Sequence, residues 1–450
     1  MDIDIGALSL NESTTSTSVT ATLTKLKEQI YMDDPVIVGE ACSTLRKMVS
    51  LEHAPPLDEV VSFGFVPRLL DLLLSTVPSI QCESCWVITN ILSGASKYVT
   101  FIIQSGGLVR LCSLVSSNDE SLREQVIWAI GNIAGDNAQH RDLVLAANVL
   151  PMLLTYLRAT NAKLSLKRLL IWTVSNLCRG KPKPSLALVG EALPVIANII
   201  ATEVDREMMV DALWAMSYLS DATNEDIYEI IKTGVVPRIV QLLNIDEISV
   251  LVPSLRTFGN LVTGDDKSTL YVLSMNPFPA LKKLLQSPKN AIIKETVWSM
   301  SNIVACSTKI IQMAIDAQML PPLIQMLSVN SRVDLQKEIL WCVSNLVDGG
   351  NQEQINYVMI DLNAFTILCN LLPTKQDQAL SLILSSIASV FKHCPSKGEL
   401  YANKLVQLDG IASFERIFSS PKGFPQDDTK AFNEIRNAII KYTPSASLQI

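Results

Sequence analysis

The chain has 450 residues, of which 48% are hydrophobic but only 6% aromatic, so its apolar mass is Leu, Ile, Val and Ala, as many packed helices require. A formal net charge of -7 at pH 7 argues against nucleic acid as the main ligand, because phosphate binding needs clustered Lys and Arg, and it favours cationic ligands instead. There is no basic-then-apolar secretory leader and no apolar run near the ~18 residues of a membrane span, and the 9 Cys form no regular framework, so a soluble intracellular protein with buried thiols and no membrane partner is expected.

Residues 1–20, MDIDIGALSLNESTTSTSVT, are acidic and Ser/Thr-rich without Lys or Arg, and are expected to be a disordered tail. From residue 21 the apolar spacing turns helical, through Leu23, Leu26 and Ile30 and then Val36, Val38, Ala41, Leu45 and Met48. HAPPLDEVV at 53–61 interrupts it with a Pro-Pro turn and restarts a helix.

A phrase then recurs: CWVITN at 85–90, IWAIGN at 127–132, IWTVSN at 171–176, LWAMSY at 213–218, LRTFGN at 255–260, VWSMSN at 297–302 and LWCVSN at 340–345. All 6 Trp of the chain lie in it, and successive phrases are 42 to 44 residues apart. That period lies in the range of about 40–47 residues of HEAT and armadillo repeats, so one stacked body replaces the several domains that length alone suggests.

Each unit has the same layout. A junction carrying Gly or Asn leads into a Pro or equivalent and an apolar helix, as in GFVPRLLDLL at 64–73, NVLPMLLTYL at 148–157 and GVVPRIVQLL at 234–243. Pro suits the first helical turn, where its missing N–H has no partner to lose. A polar turn, the Trp helix and a Gly-containing exit such as LSGAS, IAGDN or LVTGDD follow, and a short first helix completes three per unit. The pattern continues without Trp through NAFTILCNLL and ASVFKHC, and IASFERIF at 411–418 begins a last, degenerate unit. The expected fold is all-α, a right-handed superhelical solenoid of about 9–10 repeats over residues 21–420, with a tail or degenerate cap at 421–450.

The chemistry lies on one stripe. Positions -3, 0 and +4 share a helix face. With Trp (or Arg256) at 0, position +4 reads Asn90, Asn132, Asn176, Tyr218, Asn260, Asn302 and Asn345, and position -3 reads Glu83, Gln125, Leu169, Asp211, Pro253, Glu295 and Glu338. If that face meets solvent, helix stacking sets the indoles about 8–10 Å apart. Slots between indoles fit the aliphatic stem of Lys or Arg, with cation–π attraction of about 0.5–2 kcal/mol each. The carboxamides can pair with the N–H and C=O of an extended peptide, and the carboxylates can receive its charged tips. The competing structural reading has Trp wedging neighbouring repeats and Asn bonding the preceding turn. Recurrence of a mid-helix Asn, against its propensity, favours a reader of basic peptides.

The phrases WAIGNIAGD, WTVSNLCRG, WAMSYLSDA, LRTFGNLVTG and WCVSNLVDGG, with TLRKMVSLEHAPPLDEVV at 44–61, resemble the armadillo repeats of the importin-α family over about residues 20–420. The resemblance extends to the Tyr in place of Asn in the fifth unit and the Arg in place of Trp in the sixth. It implies a nuclear import adapter that shuttles between cytoplasm and nucleus and binds nuclear localisation signals at two sites. The major site would comprise Ser50, Trp86, Asn90, Gly94, Gln125, Trp128, Asn132, Asp136, Trp172, Asn176, Arg179, Asp211, Trp214 and Tyr218. The minor site would comprise Arg256, Asn260, Glu295, Trp298, Asn302, Glu338, Trp341 and Asn345.

In that family a key lysine is clamped by Gly, Asp and Thr; Gly94 and Asp136 match, whereas the Thr position reads Val99. Family members also carry a basic importin-β-binding segment ahead of the repeats that folds back as an autoinhibitor. No such stretch precedes the first repeat here, which implies either a shortened product or an adapter with an open groove, served by importin-β or another carrier. The family's export factor would meet residues 351–450.

Other constellations are weaker. Cys82-Glu-Ser-Cys85 lacks a second Cys/His pair, the three His have no ligand spacing, and His140 follows a helix exit where exposure is expected. GDD at 264–266 reads as a helix C-cap with solvated acids, and no phosphate loop or catalytic pair is present. No metal, cofactor or enzymatic activity is expected. The alternative function is an armadillo scaffold, or a binder of basic peptides that does not itself engage importin-β.

Overall fold

The computed structural model describes residues 12–328, 332–372, 377–408, 410 and 425–443. They fall into two units, Met1–Leu219 and Ser220–Ile450, each a stack of armadillo-type helix triplets. Among the described residues every regular element is helical.

The third position of the triplet is occupied in turn by Pro35–Val49, Pro78–Leu92, Glu120–Asp136, Leu164–Cys178 and Arg206–Ser220, then by Ile248–Leu261, Asn290–Ile303, Val333–Gly349, Asp377–His393 and Gln426–Tyr442. From Pro35–Val49 to Leu164–Cys178 in the first unit, and from Ile248–Leu261 to Gln426–Tyr442 in the second, each third helix packs directly on the next. The burial is one-sided around each Trp: Val87, Ile88 and Ile91 beside Trp86, or Val297 and Met300 beside Trp298, are 0% exposed. The hydrophobic stripe therefore points into the stack and leaves position 0 at its edge.

Between the first and second helices the chain turns through a left-handed residue in unit after unit, at Gly64, Gly106, Asn148, Gly234, Asn276, Gln318 and Asn363, with φ between 54° and 82°. This is the junction expected from the sequence, except that Gln318 stands where Gly or Asn was anticipated. The second helix then opens on Pro151, Pro194, Pro237 or Pro279 within its first turn.

The expected disordered tail at 1–20 is corrected over 12–20, which belong to the helix Glu12–Gln29. Leu23, Leu26 and Ile30 are buried at 4% exposure or less, and Lys27 Nζ donates to the carbonyl of Gly64 at 2.6 Å. Once that packed half is nucleated, each further residue adds a hydrogen bond at small cost, so Ser and Thr propagate the helix toward residue 12. Residues 1–11 lie outside the described residues, as does IASFERIF at 411–418. Within 421–450, Gln426–Tyr442 is a packed helix rather than a tail: Ile435, Ala438 and Ile439 bury one face, and Asp428 Oδ2 accepts from Ser381 Oγ at 3.0 Å.

Two Gly-containing exits also differ from expectation. Gly135 lies inside the helix Glu120–Asp136, and Asn137 caps the next helix by accepting from His140 N at 2.9 Å. In GDD, Asp265 is an N-cap that accepts from Ser268 N at 2.9 Å, not part of a C-cap. Its other oxygen accepts from Tyr228 Oη at 2.6 Å.

Position +3 on the third helix explains how two of the large indoles fit between repeats, at Gly131 after Trp128 and at Gly259 after Arg256. A Cβ on Gly131 would come within 2.2 Å of Trp172 Cζ3, and one on Gly259 within 2.2 Å of Trp298 Cζ3. These two glycines let the next repeat's indole lie against helix backbone. Gly131→Ala is expected to lower stability in urea denaturation by about 1–3 kcal/mol through overpacking, although Ala is the better helix former by about 1 kcal/mol. Equal or higher stability would show that the Trp172 ring moves aside freely.

Candidate functional site

In unit 1 the indoles of Trp86, Trp172 and Trp214 are partly exposed and that of Trp128 is 41% exposed, although the residues directly before and after each of them in the chain include buried core positions. In unit 2 Trp298 is partly exposed and Trp341 is 37% exposed. Such large apolar surfaces on one helical stripe are accessible to a ligand.

The carboxamides at +4 serve the stack as well as the face. Asn132 Nδ2 donates to the carbonyl of Thr89 at 3.1 Å, Asn176 to Gly131 at 3.1 Å, Asn302 to Gly259 at 3.1 Å and Asn345 to Ser301 at 3.0 Å. Each acceptor is the +3 residue of the preceding repeat. At the two remaining positions the acceptor is a hydroxyl: Asn90 Nδ2 donates to Ser50 Oγ at 2.7 Å and Asn260 Nδ2 to Ser220 Oγ at 3.1 Å. One N–H of each amide is thus bound within the protein, and at the partly exposed Asn90, Asn132, Asn302 and Asn345 the amide also faces the surface, where a carboxamide can meet a peptide backbone. Asn90, Asn132, Asn302 and Asn345 are partly exposed, but Asn176 and Asn260 are only 7% exposed. For those two the solvent-facing expectation is corrected: Asn176 is turned onto the Gly131 carbonyl and Asn260 onto the Ser220 hydroxyl, and both amides lie within the stack.

Arginines of the chain itself already cover two of the indoles. The Arg46 guanidinium lies 4.6 Å from the Trp86 ring centre, and its Nε donates to Glu83 Oε2 at 2.6 Å. Arg256 repeats the arrangement, 5.4 Å above Trp298, with Nη2 donating to Glu295 Oε2 at 2.7 Å and Nε paired with Oε1. In both cases the arginine comes from the preceding third helix and the carboxylate from position -3 beside the indole. Burial holds the Glu295 carboxyl above the usual carboxylate range, and Arg256 pulls it back down. Glu338 has Lys294 Nζ 3.8 Å away. Sequence reasoning missed Arg46, although Arg46 and Ser50 have the same spacing as Trp86 and Asn90.

Gly94 packs closely: a Cβ there would meet Leu57 Cδ1 at 2.8 Å and Tyr98 Cδ2 at 2.9 Å. Val99 beside it is fully buried and offers no hydroxyl to a ligand. Asp136 closes the Glu120–Asp136 helix and collects donors on one oxygen. Ser96 Oγ and Asn137 Nδ2 reach Oδ2 at 2.7 Å each, and His140 Nδ1 reaches it at 2.6 Å. His140 is therefore not the exposed residue expected; it is 8% exposed and turned back onto Asp136 by the Asn137 cap.

Further along unit 1, Asp211, Trp214, Tyr218 and Arg179 share one neighbourhood. The rings of Trp214 and Tyr218 stack with centroids 6.0 Å apart. Burial pushes the Asp211 carboxyl up to about 6, with the Glu207 charge adding to the rise. Burial also raises the Tyr218 phenol, against the lowering effect of Arg179. The backbone of Arg179 is fixed by Arg141, a 1% exposed guanidinium that donates to Arg179 O at 2.7 Å, Pro182 O at 2.9 Å and Asp142 Oδ1 at 2.7 Å. At Gln125 the carbonyl accepts from Thr89 Oγ1 at 3.2 Å, while the side-chain Oε1 is buried without a partner.

An Armadillo/beta-catenin-like repeat model matches residues 53–93, 96–135, 223–263 and 307–348. Importin subunit alpha-1b of Oryza sativa subsp. japonica is 38% identical over 406 residues, covering 88% of this chain and 75% of the relative. The chain belongs to the importin-α family. Importin subunit alpha-4 of Arabidopsis thaliana is likewise 38% identical over 400 residues, covering 87% of the chain and 74% of that relative. The crystal structure of an engineered protein, only 22% identical, superposes with a TM-score of 0.81 over 93% of this chain and 98% of its own, and shares the fold.

The importin-α relationship places the chain in a non-enzymatic family. Among the described residues no helix is long and apolar enough to cross a membrane, and no group of three or more His, Cys, Asp or Glu is placed to hold a metal ion. Of the CxxC cysteines Cys85 is fully buried and Cys82 partly exposed, and burial raises both thiols. The residues expected to form a major site all fall within Met1–Leu219, and those expected to form a minor site within Ser220–Ile450.

Proposed function

We propose that the chain is a nuclear import adapter that reads Lys/Arg-rich localisation signals as extended peptides. The observation that carries this reading is the pair of clusters Arg46–Glu83–Trp86 and Arg256–Glu295–Trp298, in which the ladder already holds an arginine in the way a peptide arginine would be held: guanidinium over indole, charge on the -3 carboxylate. Trp128, Trp172 and Trp214 present the same indole surface to a ligand in the major site, and Trp341 does so in the minor site.

The carboxamides then pair with the peptide backbone without reading side chains, which gives an extended ligand a fixed register. Asp136 and Asp211 take the charged tips in the major site, and Glu338 takes one in the minor site. Kinship with importin subunits alpha supports a cargo carrying a nuclear localisation signal, a carrier of the importin-β type or another, export-factor contact in the C-terminal repeats, and residence in both cytoplasm and nucleus. The decisive measurement is fluorescence anisotropy with a labelled Lys/Arg-rich peptide and a length-matched acidic one. Binding of the basic peptide alone supports the adapter, whereas preference for the acidic peptide would refute it and favour the scaffold reading.

The same assay has an expected pH dependence. A cationic peptide stabilises the ionised form of Asp211, whose carboxyl in the free protein titrates at about 6. The contribution of Asp211 to affinity is therefore full above pH 6 and is lost as pH falls through that value. Asp211→Asn should weaken binding at pH 7.5 and flatten this part of the profile; an identical slope in the variant would assign the titration elsewhere.

A further inference from the structure

We infer that His140 is a positioning residue that aims Asp136 at a lysine ammonium, a role carried by the residues around it rather than by the ladder of Trp and Asn. The inference rests on reading this face as a binder of basic peptides.

Three donors converge on a single oxygen of Asp136. Ser96 Oγ arrives from the preceding repeat at 2.7 Å, Asn137 Nδ2 from the next residue at 2.7 Å and His140 Nδ1 from the following helix at 2.6 Å, all on Oδ2. The other oxygen, Oδ1, makes no hydrogen bond among the described residues, and the side chain as a whole is 13% exposed. The carboxylate is thus clamped through one oxygen and offers the other.

The clamp also fixes the proton on the imidazole. Nδ1 faces the carboxylate oxygen at 2.6 Å, so it carries a hydrogen and donates; the Asn137 amide, 3.0 Å away, is itself a donor and cannot supply an alternative partner for a protonated Nδ1. At the far side of the ring Nε2 lies 3.4 Å from Thr100 Oγ1. The ring is 8% exposed and is seated by its own backbone, whose N–H is capped by Asn137 Oδ1 at 2.9 Å. A rigid, desolvated donor of this kind removes the rotational freedom of a helix-terminal Asp, which is the usual requirement for a preorganised charge site.

The need for such a device is visible beside it. Position 99, where a hydroxyl is expected to share the lysine, is a fully buried Val, and Gly94 contributes only backbone. Asp136 is left as the side chain that takes the ammonium, so its orientation carries more of the selectivity here. Ser96, Asn137 and His140 supply that orientation from three separate positions.

The test is a lysine scan read by anisotropy. A Gly/Ser-flanked Lys-Lys-Arg-Lys peptide and its single norleucine replacements are titrated against the full chain and against His140→Phe, His140→Gln and Asp136→Asn. Norleucine keeps the aliphatic stem and removes only the ammonium. In the wild type one replacement is expected to cost about tenfold or more, since a buried charge-assisted contact is being lost. Asp136→Asn should abolish that penalty, His140→Phe should reduce it to about two- to threefold, and His140→Gln, which restores an N–H donor, should recover part of it.

An unchanged norleucine profile in His140→Phe would overturn the positioning role. A uniform loss at every peptide position, with a lowered melting temperature, would overturn it too by making His140 merely structural. If the wild type binds no basic peptide at all, the reading of the face fails first and this inference falls with it, a result distinguishable from the other two because no profile exists to compare.

Discussion

Asp136→Lys is expected to reduce binding of a basic peptide at least a hundredfold, the largest effect of any single substitution on the ladder. It removes the carboxylate, places a like charge against the incoming lysine and leaves Ser96, Asn137 and His140 without their shared acceptor. Loss of one charge-assisted contact accounts for about 1.5–3 kcal/mol, and close like-charge contact adds to it; each 1.4 kcal/mol is a factor of ten. Titration of the variant with the peptide that the wild type binds checks the result, with circular dichroism to show that the helices persist. Retention of affinity within a few fold would remove Asp136 from the site. Because Glu338 lies in the other unit, Glu338→Arg should leave a short single-cluster peptide unaffected and weaken only ligands that use the second set of indoles.

Arg141→Ala is expected to produce the largest loss of stability, about 2–4 kcal/mol in urea denaturation. The guanidinium is 1% exposed, and its removal strands the carbonyls of Arg179 and Pro182 in a desolvated site while opening a cavity the size of a long side chain. Arg141→Lys should recover little, since one ammonium cannot reach two carbonyls and Asp142 in a planar fork. The same variants should weaken peptide binding, because Arg179 loses the anchor that holds its backbone beside Asp211 and Tyr218. A variant with normal stability and unaltered binding would contradict both statements.

Much of the architecture could be read from the spacing of six Trp and their neighbours. The period set the number and order of helices, and the Pro and Gly at the junctions set where second helices begin. What the sequence hid lies in contacts that cross the period. The partner of Asn176 is Gly131, 45 residues away, and nothing local to WTVSN reveals that its amide is drawn into the stack. Arg46 was overlooked because the first repeat has no Trp to mark position 0, although its Glu83 and Trp86 contacts copy those of Arg256. His140 follows a helix exit, where exposure is the reasonable expectation; only the cap formed by Asn137 turns it inward. The helix from residue 12 was masked by composition, since Ser and Thr are weak helix formers in a helix interior but are carried along once Leu23 and Leu26 are packed.

The close seating of Trp172 on Gly131 and Trp298 on Gly259 sets a grammar for recombining these modules. A repeat cannot be exchanged alone: the residue that makes room for its indole belongs to its predecessor, so any graft must carry its seam with it. A chimera that brings a Trp-bearing repeat behind one with a bulky residue at that position would be obstructed at the junction however well each part folds, whereas cutting in the loops so that donor and acceptor faces travel together keeps the match.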